Sequence, residues 1–211
     1  MKPLFILGAG VSAPSGIPTY RQDDNSLYND DELMAIMHVD SLCDPQRLAK
    51  LQRHFADWKA LIDSKQPNLA HTLIKEMVES HDGFVVTQNV DNYLELAGLD
   101  PQRIYHIHGD FSHNKPQHDV ANIVLFGEML IDEPVYLQRH FDDFDTIITA
   151  GTSLTVTSVF QYIKPNTDVY IVNKEHIDLP LAMSMFQSLT FIQKDIIKGL
   201  QELKNLLQMA S

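Results

Sequence analysis

The sequence predicts an α/β fold in which a doubly wound, mostly parallel sheet carries helices on both faces. Two observations predict it. Short apolar runs rich in β-branched and aromatic residues recur along the 211-residue chain and mostly lack polar alternation, as strands buried on both faces do. Between these runs, apolar residues repeat every three or four positions, as on one face of a helix. Strands that alternate with helices favour a parallel sheet.

The apolar runs have the length and composition of buried strands. Turn-forming or polar residues bound most of them. In chain order they are PLFIL (3–7), GFVVTQ (83–88), RIYHIHG (103–109), NIVLFG (122–127), DTIITAG (145–151), DVYIVN (168–173) and LTFIQ (189–193).

Three segments show helical stripes, which we interpret as core packing rather than as cofactor contacts. The first follows Asp44 and Pro45, a favourable N-cap and first helical residue. The second starts near Asn68, and the third follows Asp195. Their stripes are Leu48, Leu51, Phe55, Trp58 and Ile62; Leu69, Leu73 and Met77; and Ile196, Leu200, Leu203 and Leu207.

Two polar stretches interrupt this alternation. Residues 110–122 read DFSHNKPQHDVAN, which predicts a loop or a reduced subdomain. Residues 22–42 begin with acids and contain a possible helix from Asp31 onward. We therefore expect one domain over 1–211, with a reduced small lobe built from about residues 22–66 and 110–122.

The composition narrows the classes of partner. The net charge is −12, with 28 acids against 16 bases, which disfavours nucleic acid and anionic membranes as partners and favours solubility. Cys43 is the single cysteine, so an intrachain disulfide and a four-cysteine zinc site are both excluded. Lone-cysteine usage, no signal-peptide pattern and no long apolar run predict a cytoplasmic location.

The first apolar run leads into GAGVSAPSGIPTYR at 8–21. Gly8, Gly10 and Ala13 form a G-x-G-x-x-A variant of the dinucleotide-binding fingerprint, in which glycines permit a tight turn and close approach of a pyrophosphate. The ribose-binding acid expected about 20 residues later is not evident, and residues 15–21 continue without a helical stripe. A glycine-rich turn without a ligand is the alternative interpretation.

Seven segments in the same order resemble the sirtuin family of NAD-dependent protein deacylases. GAGVSAPSGIPTYR matches every fixed position of the family signature G-A-G-x-S-x-x-S-G-I-P-x-[FY]-R. This resemblance extends over roughly residues 3–203 and implies a Rossmann-like fold, NAD as cofactor and an acyl-lysine protein or peptide as substrate. The other segments are QPNLAH (66–71), TQNVDNYLELAG (87–98), HIHGDF (106–111), IVLFGE (123–128), GTSLTV (151–156) and IVNKE (171–175).

The resemblance also implies roles for individual residues. Asn89 would contact the nicotinamide ribose and help to place water, Asp91 would hold the nicotinamide carboxamide, and His108 would be the general base. The implied cofactor-binding set is Gly8, Ala9, Gly10, Ser12, Ile17, Tyr20, Arg21, Gln88, Asn89, Asp91, Gly151, Thr152, Ser153 and Asn173. The implied borders of the acyl-lysine cleft are Val124, Phe126, Gly127 and Glu128.

Simpler interpretations of these polar residues stand beside the catalytic ones. Asn89 and Asp91 follow a predicted strand, where they could instead cap the next helix. A lone histidine such as His108 is often structural. His106 takes a position that is usually acidic in the family, and we interpret it as structural.

The chain departs from the family pattern where most sirtuins bind a structural zinc. That zinc sits on four cysteines between the catalytic histidine and the F-G-E segment. Too few residues separate Gly109 from Phe126 for a C-x2-C-x15–20-C-x2-C ribbon, so we expect a short form without zinc. The histidines in this region fit no standard zinc spacing, and we predict no metal. They are His106, His108, His113 and His118.

Further departures affect the expected substrate more than the expected use of NAD. Leu94 replaces a histidine common in the family, and Ser158 and Val159 replace a usual Pro-Ala pair. The leading hypothesis is an NAD-dependent protein-lysine deacylase that releases nicotinamide and transfers the acyl group to ADP-ribose. The alternatives are an NAD glycohydrolase or ADP-ribosyltransferase, and a noncatalytic module that senses NAD or ADP-ribose. The sequence indicates neither the acyl group nor the oligomeric state.

Overall fold

The structure is a computed structural model that describes residues 1–19, 31–111, 122–130, 133–153, 164, 167–177 and 187–210. Within these residues, six strands form one sheet in the order β3-β2-β1-β4-β5-β6, and every neighbouring pair is parallel. The strands are β1 (Pro3–Leu7), β2 (Phe84–Thr87), β3 (Ile104–His106), β4 (Thr146–Ala150), β5 (Asp168–Asn173) and β6 (Ser188–Gln193). The α-helices are α1 (Asp31–Ile36), α2 (Pro45–Asp63), α3 (Leu69–Ser80), α4 (Tyr93–Leu96), α5 (Val135–His140) and α6 (Ile196–Ala210).

Strand β1 is buried on both faces, and this explains its unbroken apolar sequence. Phe5 and Leu7 pack in a cluster that includes residues of α3 and α6. Leu4 and Ile6 pack in a second cluster, which includes Leu137 of α5. Side chains alternate between the faces of a strand, so helices cover both faces of the sheet. The predicted doubly wound, mostly parallel α/β fold is confirmed.

The helices begin where their capping residues predict. The side chain of Asp44 accepts hydrogen bonds from the backbone N–H groups of Gln46 and Arg47, at 2.9 and 3.2 Å. Asn68 caps α3 in the same way and accepts from the N–H of Ala70 at 2.8 Å. These bonds satisfy amides that have no partner inside the first turn of a helix.

The predicted strand at 122–127 is wrong. This segment makes only two isolated bridges, between Ile123 and Gly109 and between Phe126 and His38. Its apolar residues pack in a third cluster, in which Ile123 and Leu125 meet Leu51 and Phe55 of α2. An apolar run of this length can serve such packing as well as a strand, so periodicity alone did not separate the two.

The order of the strands places a crevice at the carboxyl ends of β1 and β4. From β1 the chain proceeds through β2 and β3 on one side of the sheet and through β4, β5 and β6 on the other. Ligands of open parallel sheets bind where the strand order reverses in this way. Val90, which follows the carboxyl end of β2, belongs to the third apolar cluster together with Phe55 of α2.

Parts of the expected small lobe, residues 22–30 and 112–121, lie outside the described residues. The assignment of 1–211 to a single domain with these insertions stays a prediction. Among the helices that the structure describes, none is both long and apolar enough to cross a membrane.

Candidate active site

The glycine-rich turn after β1 is packed against the turn after β4. The N–H of Gly8 donates to the carbonyl of Ala150 at 3.0 Å, and that of Gly10 donates to Gly151 at 2.9 Å. A Cβ on Gly8 would lie 2.6 Å from Cβ of Thr152, and one on Gly10 would lie 2.8 Å from Cα of Gly151. The neighbouring turn therefore already excludes side chains here, in addition to any effect of a ligand.

The residues after this turn form no α-helix within the described part up to Thr19. Two short 3-10 turns follow instead, at Ala9–Val11 and Ala13–Ser15. An ordinary dinucleotide fingerprint would lead directly into a helix. The absence of a helical stripe over residues 15–19 is consistent with this geometry.

A buried polar network lies beneath the turn, centred on the hydroxyl of Ser12. It donates to Oδ2 of Asp91 at 2.7 Å and accepts from Nδ2 of Asn89 at 3.2 Å. The remaining partner of Ser12 is Nε2 of His71, 3.3 Å away. These side chains are at most 8% exposed, so the network satisfies polar groups that would be costly to bury alone.

The tautomer of His71 follows from its other contact. The backbone N–H of Asn68 donates to Nδ1 of His71 at 3.1 Å. An amide N–H can only donate, so Nδ1 accepts and the neutral ring carries its proton on Nε2. His71 therefore donates to Ser12, which in turn donates to Asp91. Burial lowers the pKa of His71 to about 4 and keeps the ring neutral.

Asp91 is held by two donors on different elements. Besides Ser12, the backbone N–H of Tyr93 donates to its Oδ1 at 3.2 Å, so Asp91 also caps the start of α4. Burial raises the pKa of Asp91, and the hydrogen bonds from Ser12 and Tyr93 only partly oppose this effect. Asp91 can therefore cap the start of α4 and belong to the polar network at the same time.

His108 follows β3 and lines the same cavity as Gly8 and Asn89. Burial lowers the pKa of its imidazole, so the ring is neutral and able to accept a proton near pH 7. Its backbone carbonyl accepts from the N–H of Val124 at 2.9 Å. Gly109 has φ of 75°, and a Cβ there would lie 1.7 Å from the carbonyl oxygen of Asn122. Only glycine fits this position without moving the neighbouring segment.

His106 is held between two acceptors. Its Nδ1 lies 3.1 Å from the carbonyl oxygen of Asn89, and its Nε2 lies 2.8 Å from Oε1 of Glu95. Burial lowers the pKa of His106, but Glu95, Asp110 and the Asn89 carbonyl together outweigh it, and the pKa is raised. A doubly protonated ring satisfies both acceptors. These contacts tie β3 to the segment that carries Asn89 and agree with a structural role for His106.

The segment 124–128 is fixed to the residues that follow α1 and to its own turn. The N–H of Phe126 donates to the carbonyl of Met37, and the N–H of Val39 donates to the carbonyl of Phe126, each at 2.9 Å. The carboxylate of Glu128 accepts from the N–H of Leu125 at 2.7 Å. Glu128 thereby shapes the turn as well as lining the cavity.

These elements enclose a cavity of about 600 Å³. We call one part the polar side; it is lined by Gly8, Ala9, Gly10, Gln88, Asn89, Gly151, Thr152, Ser153 and Asn173. We call the other part the apolar chamber; it is lined by Leu33, Met34, Met37, Phe55, Trp58, Val90, Phe111, Ile123, Leu125, Phe126 and Leu130. His108 also lines the cavity, as do Val124, Gly127 and Glu128.

Comparisons with known proteins agree with this geometry. The sequence model of the Sir2 family matches residues 8–118, just over half of the chain. The chain belongs to the Sir2 family. It is 31% identical to an NAD-dependent protein deacylase of Aggregatibacter actinomycetemcomitans, over 82% of this chain and 94% of that protein. It is 29% identical to an NAD-dependent protein deacylase of Bacteroides thetaiotaomicron, over 98% of each.

The structure also resembles solved Sir2 proteins. A crystal structure of a Sir2 homologue in complex with NAD superposes with a TM-score of 0.70 at 27% identity, covering 99% of this chain and 90% of that chain. The predicted membership of the sirtuin family is thereby confirmed, and so is the Rossmann-like fold.

Most of the predicted Sir2 site residues meet at this cavity, but some do not line it. Ser12 and Asp91 lie beneath the turn in the polar network, and Ile17 is buried in the third apolar cluster. Tyr20 and Arg21 lie outside the described residues. The roles predicted for all these residues stay predictions.

Two features of the site were not predicted. His71 belongs to the QPNLAH segment, but no role followed from its position at the start of α3. The stripe containing Phe55 and Trp58 is predicted to be core packing, and in the structure both residues also line the apolar chamber.

Within the described residues, no group of three or more His, Cys, Asp or Glu side chains could hold a metal. His113 and His118 lie outside that part of the chain.

Proposed function

We propose that this protein is an NAD-dependent protein-lysine deacylase. The observation that carries the proposal is one cavity in which a neutral, partly buried His108 lies together with Asn89 and the glycine turn. The family and the names of the full-length relatives support the same reaction.

The cavity fits NAD in shape and in polarity. The glycine turn has no space for side chains at Gly8 and Gly10, so backbone groups line the polar side, as in sites that accept a pyrophosphate. Asn173 ends β5 and Ser153 follows β4, and both would face the adenosine half. When bound, NAD supplies the ribose–nicotinamide bond that is cleaved and the ribose that receives the acyl group.

In this proposal the residues of the chain position the reacting groups and accept a proton. The imidazole of His108 would accept a hydroxyl proton, which its lowered pKa permits at neutral pH. Ser12 and His71 would hold Asn89 and Asp91 in place, since both are bonded through the Ser12 hydroxyl. Val124 and Glu128 would border the bound acyl-lysine.

The remaining expectations are part of the same proposal. We propose one catalytic domain over 1–211, protein acyl-lysine rather than nucleic acid or membrane as partner, and a cytoplasmic location. The net charge of −12 and the lone Cys43 support these expectations. That no zinc is needed stays a prediction, which metal analysis of the purified protein would check.

The test is nicotinamide release from NAD, with and without an acetyl-lysine peptide. We expect release that requires the peptide and is abolished by His108→Ala. The matched control is His140→Ala, a histidine outside the cavity lining. Release that ignores the peptide would overturn the proposal in favour of an NAD glycohydrolase or ADP-ribosyltransferase. Tight binding of NAD without any turnover would favour a sensing module.

A further inference from the structure

The apolar chamber is a candidate specificity site, because it continues from His108 into the third apolar cluster. The N–H of Val124 donates to the backbone carbonyl of His108 at 2.9 Å, so the segment that carries Ile123 and Leu125 passes alongside the proposed catalytic histidine. Phe55 of α2 packs edge-to-face on Phe111, with ring centroids 5.7 Å apart. These rings and aliphatic side chains form a chamber with walls from several elements.

The described part of the chamber lining offers no strong counter-charge to an anion. Among the described residues that line it, none is lysine or arginine. Lys174 lines the cavity at its other end, next to Asn173 after β5. Apart from Lys174 and Asp195, the described titratable side chains that line the cavity are His108, Glu128, which is an acid, and His54, whose ring centroid lies 6.1 Å from that of Trp58. An acyl group that carried its own carboxylate would be buried there beside an acid, which is costly.

The mouth of the chamber is also apolar. Phe126 and Leu130 line the cavity and are 36% and 47% exposed, and Met129 between them is 85% exposed. Large exposed apolar side chains that continue a cavity lining are typical of ligand-binding surfaces. They extend the apolar contact surface beyond the chamber itself.

We propose that the apolar chamber selects a neutral aliphatic acyl group longer than acetyl. This inference rests on the proposed deacylase function and adds its substrate class. A single methyl group would leave most of the walls formed by Phe55, Trp58 and Leu125 without contact. Each further buried methylene would raise the equilibrium constant for transfer from water into the chamber by up to about fourfold.

The test is a panel of peptides of one sequence that carry acetyl, butyryl, hexanoyl, decanoyl or succinyl lysine. We expect kcat/KM to rise about two- to fourfold per methylene from acetyl until the chamber is filled. Butyryl and succinyl groups have the same number of carbons, and we expect succinyl to be at least about tenfold poorer. A series that falls from acetyl onward, or a succinyl peptide as good as butyryl, would overturn the inference.

A binding assay separates this inference from the proposed reaction. The same peptides are titrated into the His108→Ala variant in the presence of ADP-ribose, and binding is followed by fluorescence anisotropy. If turnover fails with every peptide but affinity still rises with chain length, the deacylase proposal fails while the chamber keeps its aliphatic selectivity. If affinity does not depend on chain length, the inference about the chamber fails.

A charge placed on the chamber wall should change the selectivity. Trp58 is only partly buried, so Trp58→Arg can bring a guanidinium to the wall, and we expect the succinyl-to-butyryl ratio to rise at least about tenfold. Ala60→Arg, an exposed position on the same helix outside the lining, is the matched control and should leave the ratio unchanged. Met34→Arg repeats the test from α1 if Trp58→Arg folds poorly. Equal ratios in all three variants would contradict the proposal.

Discussion

The two parts of the cavity are built on different physical grounds. The polar side rests on the polar network beneath the glycine turn, in which buried groups such as Ser12 and Asn89 are held at hydrogen-bond distance by specific partners, and each depends on a particular atom. In the apolar chamber, residues such as Phe55 and Leu125 supply volume and hydrophobic surface. Different apolar residues can supply such volume and hydrophobic surface. The polar side is therefore sensitive to single atoms, and the chamber to size and charge.

The largest effect is expected at Gly109, which directly follows His108. In Gly109→Ala the new Cβ would collide with the Asn122 carbonyl and displace His108 and Val124. We expect a loss of about 2–4 kcal/mol in the free energy of unfolding and at least about a hundredfold loss of activity. Urea denaturation and nicotinamide release measure the two effects.

Gly98→Ala is the matched control for this substitution. Gly98 also has a positive φ, of 92°, but its Cβ would meet only the flexible Cε of Lys75 at 3.3 Å. We expect a loss of about 1 kcal/mol in stability and retention of activity. Equal effects of the two substitutions would show that the contact with Asn122 is not what matters.

The polar network beneath the glycine turn should make the stability of the protein depend on pH through His71. Its folded pKa of about 4 lies below the ordinary value of 6.5, so the unfolded chain binds a proton in this range and the folded protein does not. Stability from this group is complete above about pH 6.5 and is lost as the pH falls towards 4. The loss is on the order of 3 kcal/mol at the acidic end.

Urea denaturation between pH 4 and pH 7 checks this expectation. His71→Gln should flatten the stability profile relative to the wild type. His81→Gln, at the other end of α3, is the matched control. Parallel profiles of the wild type and His71→Gln would contradict the proposed protonation state of the network.

A smaller effect is expected at the ion pair between His106 and Glu95. His106 also contacts the backbone carbonyl of Asn89. Glu95→Gln removes the charge that holds the pKa of His106 up, so we expect a lower His106 titration midpoint by NMR. It should also cost about 1–3 kcal/mol of stability. Because the pKa of His106 is raised on folding, this cost is greatest below pH 6.5 and shrinks as the pH rises through the folded pKa. An unchanged midpoint would mean that Glu95 does not act on His106.

The smallest effect is expected on the solvent face of α2, next to the chamber wall. Lys59 forms an exposed ion pair with Asp63 at 2.7 Å, whereas the adjacent Trp58 lines the cavity. Lys59→Ala should change stability by less than about 0.5 kcal/mol and leave the acyl-chain profile unchanged. A changed profile would show that the chamber is sensitive to charge beyond its own lining.

The same contrast explains how much could be predicted from the sequence. That Gly8, Asn89 and His108 would line one cavity could be predicted because each lies in a segment that resembles the family and follows the end of a strand; their roles stay predictions. Strand β1 and the start of α2 at Pro45 could be predicted because burial and capping leave local patterns.

The chamber wall could not be predicted in this way. Phe55 and Trp58 lie on a stripe that has the same spacing as core residues, so nothing local shows that the stripe also borders a cavity. The apolar run at 122–127 was assigned to a strand for a related reason, since its hydrophobicity does not tell what it packs against. The link from His71 to Asp91 depends on residues from three distant segments, which only the fold brings together.

The central position of β1 has a consequence for the order in which the molecule assembles. Phe5 pairs with Val85 on one side and with Ile148 on the other, so its partners are far away along the chain. Contacts of such long sequence separation form slowly, because a large loop must close first. The glycine turn completes its contacts only when Ala150 and Gly151 arrive. We therefore expect the capacity to bind NAD to return late in refolding, which stopped-flow refolding in the presence of NAD would check.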